Sequence, residues 1–472
     1  MFQDDAQGER SGVRRTRVDM CKGSPYLSLA KLTVKILLIG SGGREHALAW
    51  KLQQSSAVEK LWCAPGNGGI SRHIDCVALS LKDATSAANL AMRLGADLTI
   101  VGPEQPLVNG IADEFASRKL LLLGPSKAAA QLEGSKIFAK QFMERNGIPT
   151  AASYGVFDSA IDAHTALSSI DFPLVIKADG LAAGKGVLVT SSADEAAQFI
   201  ERVMENKEFG AAGERVLFEQ ALPGEELSYI ILTDGKNFIS LAPTRDHKRA
   251  FDRDQGPNTG GMGTYSSGDI LAPELEAAIL KKVVRPTLSG LQKEQLDFRG
   301  FIFFGLMLTP NGPKVLEYNC RLGDPEAQSI LMRADFDFAQ TCFDAASGKL
   351  DASIAKWKPE ASLCVVVASE GYPGDPVIGK KIKGLSGAEA VPGAVLFHAG
   401  TRHEDDGFYT SGGRVLGVAA TGTSLEAARL TAYLSVAKLE IEGAHFRTDI
   451  GATGLNATPA SETRVASGNS NG

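Results

Sequence analysis

The chain has 472 residues, too many for one ordinary domain and enough for about three at roughly 100 to 200 residues each. Its 44% apolar and 22% charged content excludes disorder throughout, and no apolar run reaches the roughly 18 residues needed to cross a bilayer. A net charge of -6 argues against a protein that coats a nucleic-acid polymer, while permitting local basic pockets. Glycine is the compositional oddity: 51 residues, about 11% of the chain against a usual figure near 7%. No third-position period makes it collagen, so either the loops are tight or backbone approaches something closely in several places. The six cysteines form no C-x-x-C pair and the histidines no H-x-x-x-H spacing, so reduced thiols are expected, without a disulfide framework or structural zinc.

Residues 1–33 lack hydrophobic periodicity, and their arginines (10, 14, 15, 17) are interrupted by Asp4, Asp5, Glu9 and Asp19. That mixture reads as a disordered extension, or as an upstream start with Met20 an alternative, more than as a targeting peptide. A β-rich run at 34–39 ends in Gly40, residues 46–52 read as a helix, and apolar runs at 98–101 and 120–123 each precede Gly-Pro. Strands separated by helical patterns predict an α/β fold with an open parallel sheet over 34–134. Residues 135–145 are amphipathic with Gly147 and Pro149 as stop signals, opening a second domain over 135–345 that includes a lid at about 150–224. A third αβ segment between 362 and 441 gives a C-terminal domain over 346–450, and 451–472 reads as a loose Ser/Thr/Asn/Gly tail.

The glycine loops carry the chemistry. In Gly40-Ser41-Gly42-Gly43-Arg44-Glu45-His46, between a strand and a helix, open N–H groups and the helix N-terminus suit an anion, although the loop also reads as a tight βα turn. Lys177-Ala-Asp-Gly180-Leu-Ala-Ala-Gly184-Lys185-Gly186 departs from the P-loop pattern: the glycines stand too close and strand patterns, not a helix, flank it. It predicts a glycine-rich hairpin between strands at 173–176 and 187–190, able to fold over phosphates, with Lys177 and Lys185 supplying charge. Downstream, Glu219-Gln220-Ala221-Leu222 leaves a strand for an irregular linker whose backbone can read an adenine edge, and Glu226 can accept ribose hydroxyls. Asp246-His247-Lys248-Arg249 and the loop holding Asn258, Gly260 and Gly261 suit a carboxylate or phosphate. In a strand, Glu317 and Asn319 face one side and present hard oxygens apt for Mg²⁺; Arg321 extends that side toward a transferring phosphoryl group.

The hairpin, the E-Q-A-L-x-G-x-E linker and the E-x-N strand, in that order, resemble the ATP-grasp superfamily. The strings G-S-G-G-R-E-H-A, P-G-N-x-G, V-G-P-E-x-P-L, Q-L-E-G-S-K, D-H-K-R, G-P-N-T-G-G-M-G, E-Y-N-C-R-L-G-D-P-E and T-S-G-G-R-V-L resemble, more narrowly, the phosphoribosylamine–glycine ligase family over about residues 34–450. The resemblance implies a cytoplasmic monomer whose partners are ATP, glycine and 5-phosphoribosylamine, with neither nucleic-acid polymer nor membrane. It implies that Lys136 and Lys177 contact ATP phosphates beneath the 180–186 flap. Glu219, the Gln220 carbonyl and the Leu222 amide would read adenine, Glu226 the ribose, and Glu317 with Asn319 would hold Mg²⁺ or Mn²⁺. Asp246, His247, Lys248, Asn258, Gly260, Gly261, Arg321 and Asp324 would surround glycine and the phosphoribosyl group, with Gly42, Gly43 and Arg44 at the phosphoribosyl phosphate. Where superfamily relatives carry a further acidic metal ligand, this chain has Phe304-Gly305. No Ser-His-Asp or Cys-His arrangement suggests a protein nucleophile, which agrees with direct activation of a carboxylate by ATP.

Overall fold

In the computed structural model, residues 33–182 and 184–452 are described, and the chain from Thr33 onward clusters as one unit. The expectations for 1–32 and 453–472 lie outside the described residues. Five strands, β1 (Val34–Gly40), β2 (Val58–Pro65), β3 (Asp75–Cys76), β4 (Leu98–Val101) and β5 (Leu122–Leu123), form a sheet ordered β3-β2-β1-β4-β5. Every pairing in it is parallel, as the alternating pattern predicts. β1 is buried along nearly its whole length, the signature of a parallel strand with helices over both faces. The covering helices are α1 (Gly43–Leu52), α2 (Ala84–Leu94), α3 (Glu104–Asn109), α4 (Ile111–Ser117) and the short α5 (Gln131–Gly134). α1 starts three residues before the predicted helix because Glu45 folds back on the Ser41 and Gly42 amides and satisfies N–H groups at the helix start.

Helix α6 (Lys136–Arg145) opens the second region, with Ser135 as its cap accepting from the Phe138 N–H at 3.0 Å. The lid follows: β6 (Ser153–Phe157), α7 (Ala160–Ala166), β7 (Leu174–Ala178), β8 (Val187–Thr190), α8 (Ala193–Ile200) and β9 (Val216–Gln220), with the strands ordered β6-β9-β7-β8. Its hydrophobic core, built on Ala163, Leu174, Ile176, Phe199 and Phe218, draws only on residues between 157 and 218. A core of its own lets such a unit shift as a body. The glycine hairpin is realised as β7 and β8, antiparallel from Leu174↔Thr190 to Lys177↔Val187.

The chain then builds β10 (Glu225–Thr233), β11 (Phe238–Ser240), β12 (Arg245–Asp246), β13 (Arg249–Phe251), β14 (Gln255–Asn258) and β15 (Gly263–Ser266), helices α9 (Pro273–Ile279) and α10 (Arg285–Lys293), and the long hairpin β16 (Gly300–Thr309) and β17 (Gly312–Asn319). β10, β11, β16 and β17 form one antiparallel sheet ordered β11-β10-β16-β17. Helices α11 (Glu326–Arg333) and α12 (Phe338–Ala346) lead to β18 (Ala361–Ala368), β19 (Lys381–Ile382), α13 (Leu385–Glu389), β20 (Ala394–His398), β21 (Thr401–Glu404), β22 (Gly407–Thr410), β23 (Arg414–Gly422) and α14 (Leu425–Val436). β12 and β15, assigned by sequence to the second domain, join the C-terminal sheet in the order β12-β15-β18-β23-β20, because β15 pairs antiparallel with β18.

The C-terminal sheet meets the first region at α1, where His46 contacts His398 at the end of β20. His46 Nδ1 accepts from the His398 N–H at 2.8 Å, which fixes His46 as neutral with its proton on Nε2. Gly69 packs so closely on the His398 ring that an added methyl would lie 2.5 Å from its Cβ. Burial, with His398, His73 and Arg72 nearby, lowers the His46 pKa to about 3; burial, Arg72 and His73 lower His398 to about 3. Between that value and the model-peptide 6.5 the unfolded chain binds protons that the folded chain refuses, so stability rises with pH through this window. Each histidine is expected to remove about 1.4 kcal/mol per pH unit of acidification there, and His46→Gln to flatten the slope, as read from urea midpoints between pH 7 and 5.

Candidate active site

The β16–β17 hairpin sets the centre. Gly305 stands directly opposite Glu317, and with no side chain it leaves the space beside the carboxylate open; an added methyl would come within 3.0 Å of Glu317 Cγ. Burial alone would raise the Glu317 pKa, but Lys136, Lys248, Lys177 and Arg321 surround it and pull it down to about 2. Lys136 Nζ is 3.9 Å from Glu317 Oε2, and Asn319 Oδ1 accepts from Arg321 Nη2 at 3.4 Å. A permanently ionised carboxylate and an amide oxygen at one strand end fit a hard cation that takes its remaining ligands from phosphate and water. Among the described residues no three His, Cys, Asp or Glu converge as a metal cage.

Beneath the flap, Lys177 donates to the Leu316 carbonyl at 2.8 Å and pairs with Glu219 at 2.5 Å. Lys140, which the amphipathic reading of α6 did not single out, binds the other Glu219 oxygen, the Thr150 hydroxyl at 3.0 Å and the Ala151 carbonyl at 2.6 Å. Against burial, these two lysines hold the Glu219 carboxyl below its ordinary range. Lys177 and Glu219, expected at phosphate and adenine respectively, therefore belong to one buried triad. The linker holding Ala221, Leu222 and Pro223 lies outside any strand or helix, and Gln220 ends β9 with its N–H on the Ala152 carbonyl at 2.9 Å. Glu226 accepts from Lys248 at 2.6 Å, joining the expected ribose acceptor to the D-H-K segment. The flap reaches this region too, for Gly184 lies against the Thr259 carbonyl, at 3.3 Å from where its Cβ would be. Lys185 stays exposed on that flap.

Arg321 is held by Glu104 at 3.2 Å and Glu133 at 2.9 Å, and Glu133 also accepts from the Cys320 N–H at 2.7 Å. These three residues come from the first region, its junction and the end of β17, so the guanidinium is fixed from two sides. Asp324 pairs with Arg414 of β23 at 3.6 Å, accepts from Gln328 at 2.8 Å and from the Arg44 N–H at 3.3 Å. Arg414 also donates to the Gly260 carbonyl at 2.8 Å, linking the 256–263 loop to the same point. Gly261 backs onto Asp246, whose buried Oδ1 has no hydrogen-bond partner among the described residues. Burial, then the Glu326 carboxylate, raises the Asp246 pKa well above the usual range. Asn258 closes the β13–β14 ribbon opposite Arg249.

His247 and the 40–46 loop have close partners within the protein. The His247 ring lies 6.0 Å from Tyr265, and the charges acting on it are Arg447, Asp449 and Asp254, whereas Glu226 acts on both Asp246 and Lys248. In the 40–46 loop, the Ser41 and Gly42 amides bind Glu45, while Arg44 pairs with Glu45 at 2.6 Å and donates to the Leu322 carbonyl at 3.1 Å. Gly102 and Gly40 crowd the Glu45 side chain, so the closest neighbour of these glycines is the protein's own carboxylate. Gly42 and Gly43 nonetheless adjoin Asp324, with added methyls 3.2 and 3.6 Å from its oxygens. Glu104, Glu133, Lys140 and Arg414 were not assigned roles from sequence. Three lie in the V-G-P-E, Q-L-E-G-S-K and S-G-G-R strings, and Lys140 shows itself only as a cation within the apolar run Ile137, Ala139, Phe142 and Met143.

Comparison with known proteins agrees with this arrangement. The phosphoribosylglycinamide synthetase families match in chain order: the N domain over residues 34–133, the ATP-grasp (A) domain over 134–327 and the C domain over 362–453. The chain is 48% identical to the phosphoribosylamine–glycine ligase of Allochromatium vinosum over 423 residues, covering 89% of this chain and 98% of that one. It is 46% identical to that of Caulobacter vibrioides, covering 90% and 98%. The crystal structure of the Thermotoga maritima phosphoribosylamine–glycine ligase superposes with a TM-score of 0.77 at 33% identity, covering 88% of this chain and all 100% of that one. Biotin carboxylase from Campylobacter jejuni, at 15% identity and TM-score 0.68 over 90% and 96% of the two chains, shares the fold. With three domain families matched in sequence and a cation-ringed carboxylate under a glycine hairpin, the chain belongs to the phosphoribosylamine–glycine ligase family of ATP-grasp enzymes.

Proposed function

We propose that this chain ligates glycine to 5-phosphoribosylamine at the expense of ATP, giving glycinamide ribonucleotide, ADP and phosphate in de novo purine biosynthesis. The observation that carries the reading is the set of cations Lys136, Lys177, Lys248 and Arg321 gathered about Glu317, each paired with a carboxylate that phosphates can replace. A carboxylate is unreactive toward amines, so a glycine oxygen attacks the γ-phosphorus of ATP, the bond to the β–γ bridging oxygen breaks, and glycyl phosphate and ADP result. The phosphoribosylamine nitrogen then attacks the glycyl carbonyl, the carbon–oxygen bond to phosphate breaks, and the nitrogen loses a proton.

In this reading Lys136, Lys177 and the flap residues Gly180, Gly184, Lys185 and Gly186 take the ATP phosphates. Glu219, Gln220 and Leu222 read adenine, and Glu226 exchanges its Lys248 partner for ribose hydroxyls. Glu317 and Asn319 would hold Mg²⁺ or Mn²⁺, which would supply charge neutralisation at the γ-phosphate when bound. The unpartnered Asp246 oxygen faces the glycine ammonium, with Lys248, Asn258, Gly260 and Gly261 around it. Arg321 and Asp324 border the transfer, and the phosphoribosyl phosphate lies toward Gly42, Gly43 and Arg44, where Glu45 must yield its amides for direct contact. Flap closure keeps water from the acyl phosphate. The same reading has a cytoplasmic monomer acting on small molecules only; no helix among the described residues is long and apolar enough to cross a membrane.

ADP release is expected only with ATP, glycine and phosphoribosylamine together, with one phosphate per ADP. Turnover without glycine, or with bicarbonate in its place, would overturn the assignment and favour a carboxylase of the same fold.

A further inference from the structure

Asp179 opens the glycine flap yet faces away from solvent, with 5% of its side chain exposed. Its Oδ1 accepts from the Ser135 hydroxyl at 2.6 Å and from the Ile137 N–H at 3.1 Å, and its Oδ2 pairs with Arg215 at 2.5 Å. Its own N–H donates to the Arg215 carbonyl at 3.1 Å. Ser135 caps α6, so Ser135 and Asp179 together satisfy two N–H groups of that helix's first turn, where a carboxylate is also favoured by the helix dipole. Lys136 sits between the two residues that Asp179 grips, and Lys177 lies two residues before Asp179 on β7. One carboxylate thus ties the root of the lid loop to the start of α6, each segment bearing a lysine of the cation ring.

We propose that Asp179 is a positioning residue for nucleotide binding: it sets the gap between Lys136 and Lys177 and anchors the flap root. The proposal rests on the assignment of these lysines to ATP phosphates. No direct contact with ATP is required of Asp179, because its oxygens are already engaged by Ser135, Ile137 and Arg215. The Ser135 cap on Phe138 survives its loss, and Arg215, about half exposed, is free to turn to water.

In the full chain, Asp179→Ala is expected to raise the KM for ATP about tenfold or more. It should weaken a non-hydrolysable ATP analogue equally in equilibrium dialysis, leaving the KM for glycine and phosphoribosylamine within twofold and Tm nearly unchanged. Asp179→Asn, which still accepts from Ser135 and Ile137, should restore nucleotide affinity to within threefold of wild type. Unchanged analogue affinity in Asp179→Ala, or a parallel loss in all three substrates and in Tm, would overturn the positioning role. Wild-type chain that binds the analogue but never forms the ligation product would instead sink the ligase reading, leaving the dialysis comparison to decide on Asp179.

Discussion

Glu317→Ala is expected to lower kcat by about a thousandfold, the scale of removing a preorganised charge-stabilising group, while the fold is retained. Glu317 lies at the open end of β17, where Gly305 leaves room beside it, so truncation creates no sealed cavity. The electrostatics make the prediction specific. Without the carboxylate, Lys136 loses its paired acid, and Lys177, Lys248 and Arg321, still held by Glu219, Glu226, Glu104 and Glu133, lose a nearby negative charge, so a polyanion is repelled less. Metal-free ATP should therefore bind as well as before or more tightly, while turnover disappears and added Mg²⁺ does not recover it. Since the wild-type carboxyl titrates at about 2, Glu317 stays ionised at every pH where turnover is measured. A pH–rate profile with an acidic limb near 4.5 would then report another group. A variant turning over within tenfold of wild type, or one losing ATP affinity together with kcat, would remove Glu317 from the site.

Local patterns were legible in the sequence; contacts made by distant segments were not. The glycine hairpin, the capped α6 and the E-x-N strand end each follow from residues within a dozen positions of one another, so periodicity and stop signals suffice. The exchange of β12 and β15 into the C-terminal sheet depends on pairing with β18, about 100 residues away, and no local signal marks it. The glycine excess was read as backbone approaching nucleotide and sugar phosphates. Part of it instead approaches the protein: Gly40 and Gly102 receive Glu45, Gly69 receives His398, and Gly261 receives Asp246. A missing side chain announces proximity without naming the neighbour. Arg321 was recognised by its place after Asn319, but the carboxylates that hold it, Glu104 and Glu133, are 217 and 188 positions away in sequence.

Those two carboxylates make Arg321 the second residue with a large expected effect, and one whose structural and chemical parts can be separated. Burial raises the Glu133 pKa in spite of Arg321, and Glu133 is only 2% exposed, so it depends on the guanidinium for its charge. Arg321→Met should lower kcat about a hundredfold or more and destabilise the chain by about 3–5 kcal/mol, because it strands a buried acid. Adding Glu133→Gln removes that unpaired charge while keeping an oxygen for the Cys320 N–H. The double variant should regain most of the lost stability and none of the lost activity. Arg321→Lys keeps the charge but cannot span Glu104 and Glu133 as the planar guanidinium does, so it should fold near wild type and still turn over slowly. Denaturant midpoints and kcat measured on the same four proteins decide the matter. If activity returns with stability in the double variant, Arg321 serves only to neutralise Glu133, and its place beside the transferring phosphoryl group is lost.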